Sequence, residues 1–208
     1  MSNLVTGWTE RTSRDTNTTS EWSGTESSGI INNQGGKAYG SILTRDTPPD
    51  KLSNFVFKLN VDTKETAQGG AIVFYANDDG SEYYSITWKM VWNKTTFYLA
   101  KDNSSTGGDS TLINYWEVTT MTTNTSNMDI VLRVENQLVS FDANSTTNSE
   151  SATWQQSLAN IASGYTEGYY GFGAADTWES TVYKWYFTSI EELTPQPSNT
   201  RPRFWIIS

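Results

Sequence analysis

Cysteine and histidine are both missing from this 208-residue chain. Their absence excludes disulfides, zinc sites built on thiolate or imidazole ligands, and nucleophilic mechanisms that need an imidazole base. Positive charge is scarce: 14 Lys and Arg stand against 23 Asp and Glu, for a formal net charge of −9. Nucleic-acid binding rests on Lys and Arg neutralising phosphates, so neither nucleic acid nor an anionic membrane surface is an expected partner. No apolar run approaches the length of a bilayer span, and no membrane insertion is expected. Met1-Ser-Asn-Leu-Val carries neither a basic n-region nor an apolar h-region. No conventional secretory signal is therefore expected, and the expected setting is a virion surface, or the extracellular space reached by another route.

Aromatic residues are plentiful. Nine Trp, eleven Tyr and eight Phe supply much of the volume that a hydrophobic content of 36 % would otherwise leave short. The chain is long enough to bury a full core. Trp and Tyr suit half-buried positions, because each pairs a large apolar body with one polar tip. Most are therefore read as core, and a few as lining a binding surface.

The stretch Asn54–Trp92 sets the architecture. NFVFKLNV places Phe55, Phe57, Leu59 and Val61 on one face, AIVFYA (Ala71–Ala76) is a short continuous apolar run, and YYSITWKMVW places Tyr84, Ile86, Trp88 and Met90 together. Period-two runs rich in aromatic and β-branched residues, broken by Gly, Asp and Asn, are antiparallel strands. Thr95–Ala100 and Leu112–Thr119 read the same way. Asp129–Asp142 reads as a strand pair turned at Glu135-Asn136-Gln137, with Ile130, Leu132 and Val134 on one face and Leu138 and Phe141 on its return strand. Gly168–Ala174 and Thr181–Ile190 are the last core strands. GIIN (Gly29–Asn32) and AYGSILT (Ala38–Thr44) flank NQGG, which predicts a hairpin. WQQSLANIA (Trp154–Ala162) is the one segment with helical spacing, about two turns ended by Ser163-Gly164. The fold class expected is all-β, an antiparallel β-sandwich with at most one short helix.

Three regions are expected: an N-terminal arm over residues 1–24, anchored by Trp8 and Trp22; the sandwich over residues 25–193; and a Pro-rich C-terminal docking tail over residues 194–208. TPQPSNTRP holds three of the five prolines and cannot sit in a sheet centre. It leads into Arg201, Arg203, Phe204, Trp205 and Ile206, read as an assembly anchor that docks on other structural subunits by adding a strand. The alternative reading is a tail folded back on its own domain.

The order of these segments resembles the laminin G-like, concanavalin A-like lectin/glucanase superfamily. The likeness lies in NFVFKLNV, in GGAIVFYANDDGSEYYSITW, in the hairpin MDIVLRVENQLVSFDAN, and in GYYGFGAADTWESTVYKWYFTSI, and it covers roughly residues 25–193. It implies two curved antiparallel sheets in a concanavalin A-like jelly roll, whose concave face and rim loops often bind glycans. Fold does not confer function. Hydrolytic members that resemble laminarinases carry Glu-x-Asp-x-x-Glu on one strand, and this chain has no such run. Glycoside hydrolysis needs two facing carboxyls roughly 5–10 Å apart; Glu191 and Glu192 are adjacent on a strand, and Asp78-Asp79 lie in a turn. The protein is therefore expected to be non-catalytic.

Two sites are nominated. Asn77, Asp78, Asp79 and Glu82 form an oxygen-rich turn of the kind a hard cation takes, which makes Ca2+ the candidate ion, although a solvated β-turn wants the same residues for its conformation. Trp92, Tyr115, Trp116 and Trp178 lie at strand ends or in loops beside Asn, Ser and Thr. They are the candidate carbohydrate-binding residues, because a pyranose packs its CH face on an aromatic ring. Trp88, Trp185, Phe57, Phe74 and Phe172 are assigned to the core. The function expected is an exposed structural or adhesion protein, such as a capsid decoration or a tail or baseplate accessory of a virion, with a lectin-like surface toward host glycans. The alternatives are an architectural subunit that binds no sugar, a secreted bacterial adhesin, and, last, a glycan-active hydrolase.

Overall fold

Strand β5 (Phe55–Asp62) buries Phe55, Phe57, Leu59 and Val61 and turns Lys58, Asn60 and Asp62 outward, as its period-two pattern requires. It lies at the middle of one of two sheets in a computed structural model that describes residues 5–12, 22–32, 42–47, 51–62, 68–91, 94–103, 109–121, 127–146, 150–161, 164–174 and 184–194. The elements are β1 (Trp8–Thr12), β2 (Trp22–Thr25), β3 (Gly29–Asn32), β4 (Ile42–Arg45), β5, β6 (Gln68–Ala76), β7 (Glu82–Val91), β8 (Lys94–Asn103), β9 (Asp109–Val118), β10 (Asn127–Glu135), β11 (Leu138–Ser145), β12 (Ser151–Ser157), β13 (Tyr169–Ala174) and β14 (Lys184–Glu192). There is no helix among the described residues. The fold is all-β: two seven-stranded antiparallel sheets forming a sandwich. Sheet A runs β1-β4-β13-β6-β7-β8-β9, and sheet B runs β12-β11-β10-β5-β14-β3-β2.

The inner faces meet through aromatic rings. Trp8 stacks on Phe172 at 5.0 Å, Phe172 on Trp185 at 4.9 Å, and Trp185 meets Trp88 edge-on at 5.7 Å. Trp88 continues to Phe97, Phe97 to Phe141, Phe141 to Trp154, and Trp154 to Trp116. This file of rings crosses the core from β1 at one edge to β9 and β12 at the other. Aromatic pairs in such stacked or edge-on contacts add about 0.5–1.5 kcal/mol each beyond their buried area. The five aromatics assigned to the core from sequence are all buried. The turn expected at Glu135-Asn136-Gln137 is present, with Asn136 and Gln137 in the left-handed region (φ 50° and 61°) that a two-residue hairpin demands.

Two expectations are corrected. Trp154 does not begin a helix. Ser151–Ser157 is a strand paired to β11, with Trp154 opposite Phe141. Trp154, Leu158 and Ile161 have the spacing of a helical stripe, but Trp154 and Leu158 are buried because a strand and the turn after it aim them inward. GIIN and the ILT of AYGSILT do not form a hairpin either. Strand β3 pairs with β2 and β14 in sheet B, while β4 pairs with β1 and β13 in sheet A. NQGG lies outside the described residues. Trp8 and Trp22 are each fully buried on an edge strand of a different sheet.

Candidate functional site

The outward faces of the two sheets differ in chemistry. Sheet B turns out Lys58, Asp129, Arg133, Asp142 and Thr153, partly paired among themselves as in the Thr153 Oγ1 to Asp142 Oδ1 hydrogen bond of 2.7 Å, with Val131, Leu138 and Tyr186 among them. Sheet A turns out Tyr83, Tyr98, Tyr115, Tyr169 and Leu112, separated by small residues such as Val73, Ser85, Thr87 and Ala100. The register assigns these positions: Tyr98 lies opposite Thr87 on one side and Tyr115 on the other, and Ala100 lies opposite Ser85 and Leu112. On the β4, β13 and β6 side this face is closed, with Ile42, Val73, Ala76 and Tyr83 buried in a second apolar cluster. Toward β9 exposure rises among the described residues: Ser85, Thr96 and Ala100 are buried, Thr87 and Tyr98 half-buried, and Leu112 and Tyr115 exposed.

The exposed part is an aromatic platform at the sheet's edge. Tyr115 is 54 % exposed and Leu112 53 %. The Tyr98 and Tyr115 rings stand 6.5 Å apart at an interplanar angle of 32°. A strictly alternating strand would put Leu112 and Tyr115 on opposite faces. Here Leu99 pairs with Asn114 and Ala100 with Leu112, so Ile113 is an extra residue, and this β-bulge turns both Leu112 and Tyr115 outward. Asn114 points the other way and donates from Nδ2 to Gln156 Oε1 of β12 at 2.8 Å, while its Oδ1 accepts the backbone N–H of Tyr115 at 2.9 Å.

Polar groups frame the rings. Lys94 is paired with Glu117, and this hydrogen bond holds its ammonium above the ordinary lysine value. Lys89 is exposed in the row beyond Thr87. On the opposite flank, Ser85 donates to the carboxylate of half-buried Asp102. The platform thus places aromatic rings in the centre and hydrogen-bonding groups at the margins.

The nominated sugar-binding residues are divided by the fold. Tyr115 is on the platform. Trp116, its neighbour in sequence, is on the opposite face of β9 and stacks on Trp154 at 3.7 Å and 3°, packed against the core. Trp92 and Trp178 lie outside the described residues, as do the anchor residues Arg201, Arg203, Phe204, Trp205 and Ile206. Tyr98 was not nominated because it sits mid-strand. The signal was there: Thr96, Tyr98 and Ala100 alternate with the core residues Phe97 and Leu99, so they must face outward.

Asn77, Asp78, Asp79 and Glu82 do lie together, in the tight turn joining β6 to β7, with Gly80 at φ 69°. Their groups close the turn. Asn77 Oδ1 accepts the N–H of Glu82 at 3.2 Å, its Nδ2 donates to Ser81 Oγ at 3.0 Å, and Asp79 Oδ1 accepts the N–H of Ser81 at 2.9 Å. Asp78 is bound to Lys51 at 2.5 Å, while Arg11 donates to its carbonyl and stacks over Tyr169 at 3.5 Å. The hydrogen bond from Lys51 holds the Asp78 carboxyl below its usual range, and those from Ser81 do the same for Asp79. Among the described residues no three acidic side chains converge on one point as metal ligands would. A calcium ion at Asp78 would have to displace the Lys51 ammonium.

Solved structures supply a likeness of fold. The carbohydrate binding module CBM66 from Bacillus subtilis matches with a TM-score of 0.58 at 15 % identity, over 92 % of this chain and 99 % of that one. An alginate lyase from Pseudomonas aeruginosa (TM-score 0.44, 9 % identity, 84 % and 87 % covered) and the CBM2 module of the Lactobacillus casei BL23 phage J-1 evolved Dit (0.37, 14 %, 87 % and 75 %) also match. No protein-family model and no curated protein sequence matches the chain. At such identities the CBM66 match speaks for the sandwich and not for its occupant.

Proposed function

We propose that this protein is a non-catalytic glycan-binding module, and that the β7-β8-β9 end of the outer face of sheet A is its binding surface. The observation that carries the reading is the Tyr98–Tyr115 pair: two rings on one outward row, the outer one 54 % exposed, flanked by hydrogen-bonding side chains. The exposed Tyr115 and Leu112 beside half-buried Tyr98 make a small apolar patch on which a sugar's CH face could stack. The sandwich it shares with a carbohydrate binding module supports the same reading. The non-catalytic reading is supported by the sequence, which lacks the Glu-x-Asp-x-x-Glu run of the hydrolytic sandwiches it resembles.

The wider setting proposed is an exposed accessory of a virion, joined to neighbouring subunits through residues 194–208; the composition and the sequence of that tail support it. A glycan-array screen of the purified protein tests the first proposal. Saturable binding that Tyr115→Ala weakens while the fold persists is the expected result, and binding that Tyr115→Ala leaves unchanged would remove the platform from the proposal. For the tail, a chain ending at residue 193 should fold as a monomer that no longer joins its assembly. Undiminished assembly would overturn that part.

A further inference from the structure

We infer that the platform takes a single twisted glycan chain lying across the strands, and not the flat face of a crystalline polysaccharide. This rests on the glycan reading above and narrows its ligand class. A crystalline face presents sugars in one plane, so the rings that grip it must be coplanar. The Tyr98 and Tyr115 rings are turned 32° from each other. Each ring can therefore stack only on a sugar that is itself rotated relative to the next, which a free chain in solution supplies and a lattice does not.

The direction follows from the register. Thr87, Tyr98 and Tyr115 occupy one row across β7, β8 and β9. Two strand spacings make that row about 10 Å long, room for a short oligosaccharide. The neighbouring rows limit its width: Lys89, Thr96 and Glu117 on one side, and Tyr83 and Asp102 beyond Ala100 on the other. The row runs out at β9, the edge strand of sheet A among the described residues, so a longer chain passes beyond the last described strand there.

The same edge disfavours a peptide as occupant. A strand-adding partner needs a straight edge with open backbone donors. Strand β9 is bulged at Ile113, and the N–H of Tyr115 is taken by Asn114 Oδ1. Charge points toward a neutral ligand, because Lys94 and Glu117 cancel at the rim of a chain that is acidic overall.

The test compares soluble hexasaccharides (cello-, xylo-, laminari-, malto- and chito-series) by calorimetry with retention on microcrystalline cellulose and crystalline chitin. The expected result is saturable binding of at least one hexasaccharide and at least about tenfold weaker binding of its monosaccharide. Tyr115→Ala and Tyr98→Ala should each weaken it by about tenfold, with no retention on either powder. Should Tyr98→Ala fail to fold, Thr87→Trp fills the same row from a half-buried position and should abolish binding. Retention on the powders overturns the inference and leaves the glycan reading standing. Hexasaccharide binding indifferent to all three substitutions overturns the inference and moves the site elsewhere. Binding to no sugar on the panel overturns both.

Discussion

The indoles of Trp116 and Trp154 lie face to face, 3.7 Å apart at their centroids and 3° from parallel, and so join the edge strands of the two sheets. Asn114 and Gln156 hydrogen-bond beside them across the same gap. Sheet edges are where a sandwich opens most readily, and here the closure is a stacked pair continuous with the core. Trp154 Nε1 is buried without a hydrogen-bond partner among the described residues. Its contribution is therefore packing alone. Trp154→Ala should cost about 3–5 kcal/mol in urea unfolding, whereas Trp154→Phe should cost under about 1.5 kcal/mol. A double-mutant cycle with Trp116→Ala should return a coupling of about 0.5–1.5 kcal/mol. Additive losses would show that the stack is coincidental to stability.

The platform residue Tyr115 should behave oppositely. With more than half its surface in water, Tyr115→Ala should shift stability by no more than about 0.5 kcal/mol. A larger loss in thermal unfolding would mean that the ring is structural.

Gly171 of β13 runs against β4 with no room for a side chain. A Cβ there would stand 2.0 Å from the Leu43 carbonyl oxygen and 2.9 Å from Thr44 Cα, both backbone atoms that cannot swing aside. Gly171→Ala should destabilise by about 2 kcal/mol or more. A wild-type unfolding midpoint would contradict the close pairing of these strands.

Burial, with a smaller contribution from Tyr84, pushes the Tyr75 phenol above the usual tyrosine range; its hydroxyl donates to the Ser53 carbonyl at 2.5 Å. The folded-state value is the higher one, so its stabilisation is whole below the unfolded value of about 10 and is lost as pH rises toward the folded value. Urea midpoints should be level from neutrality to about pH 10 and fall above it. Tyr75→Phe should flatten that fall at a cost of about 1 kcal/mol for the lost hydrogen bond. An unchanged alkaline limb would assign it to other groups.

At the β6–β7 turn, the depressed carboxyls of Asp78 and Asp79 contribute above the usual carboxylate range, and that contribution is lost as pH falls through their lowered values. Carbon-detected NMR should find both titrating low, and Lys51→Met should raise Asp78 alone. Because the turn's oxygens are already engaged, added calcium should leave these resonances and the thermal midpoint in place. A calcium-dependent shift of both would make the turn a metal site.

Strands β5, β7 and β10 were legible because period-two alternation is a local property. A strand half in water and half in core must write its two faces into alternate residues, and Phe55 to Val61 do so without reference to any partner. The spacing of Trp154, Leu158 and Ile161 misled for the converse reason. An inward strand residue followed by a turn mimics a helical stripe, and only the pairing of Trp154 with Phe141 separates the two. The sequence after Asn32 likewise gives no hint that the next strand belongs to the other sheet, since β3 finds β14 from far along the sequence.

The sequence by itself determined an all-β sandwich, its aromatic core, and a chemistry without thiol or imidazole, because composition and alternation are written residue by residue. Tertiary structure alone decided which aromatics face outward. The bulge at Ile113 turns Leu112 and Tyr115 to the same side, the register sets Tyr98 beside Tyr115, and Trp154 draws Trp116 inward. Each is a relation between strands, fixed by backbone pairing and by what lies across the sheet, and no local pattern encodes it.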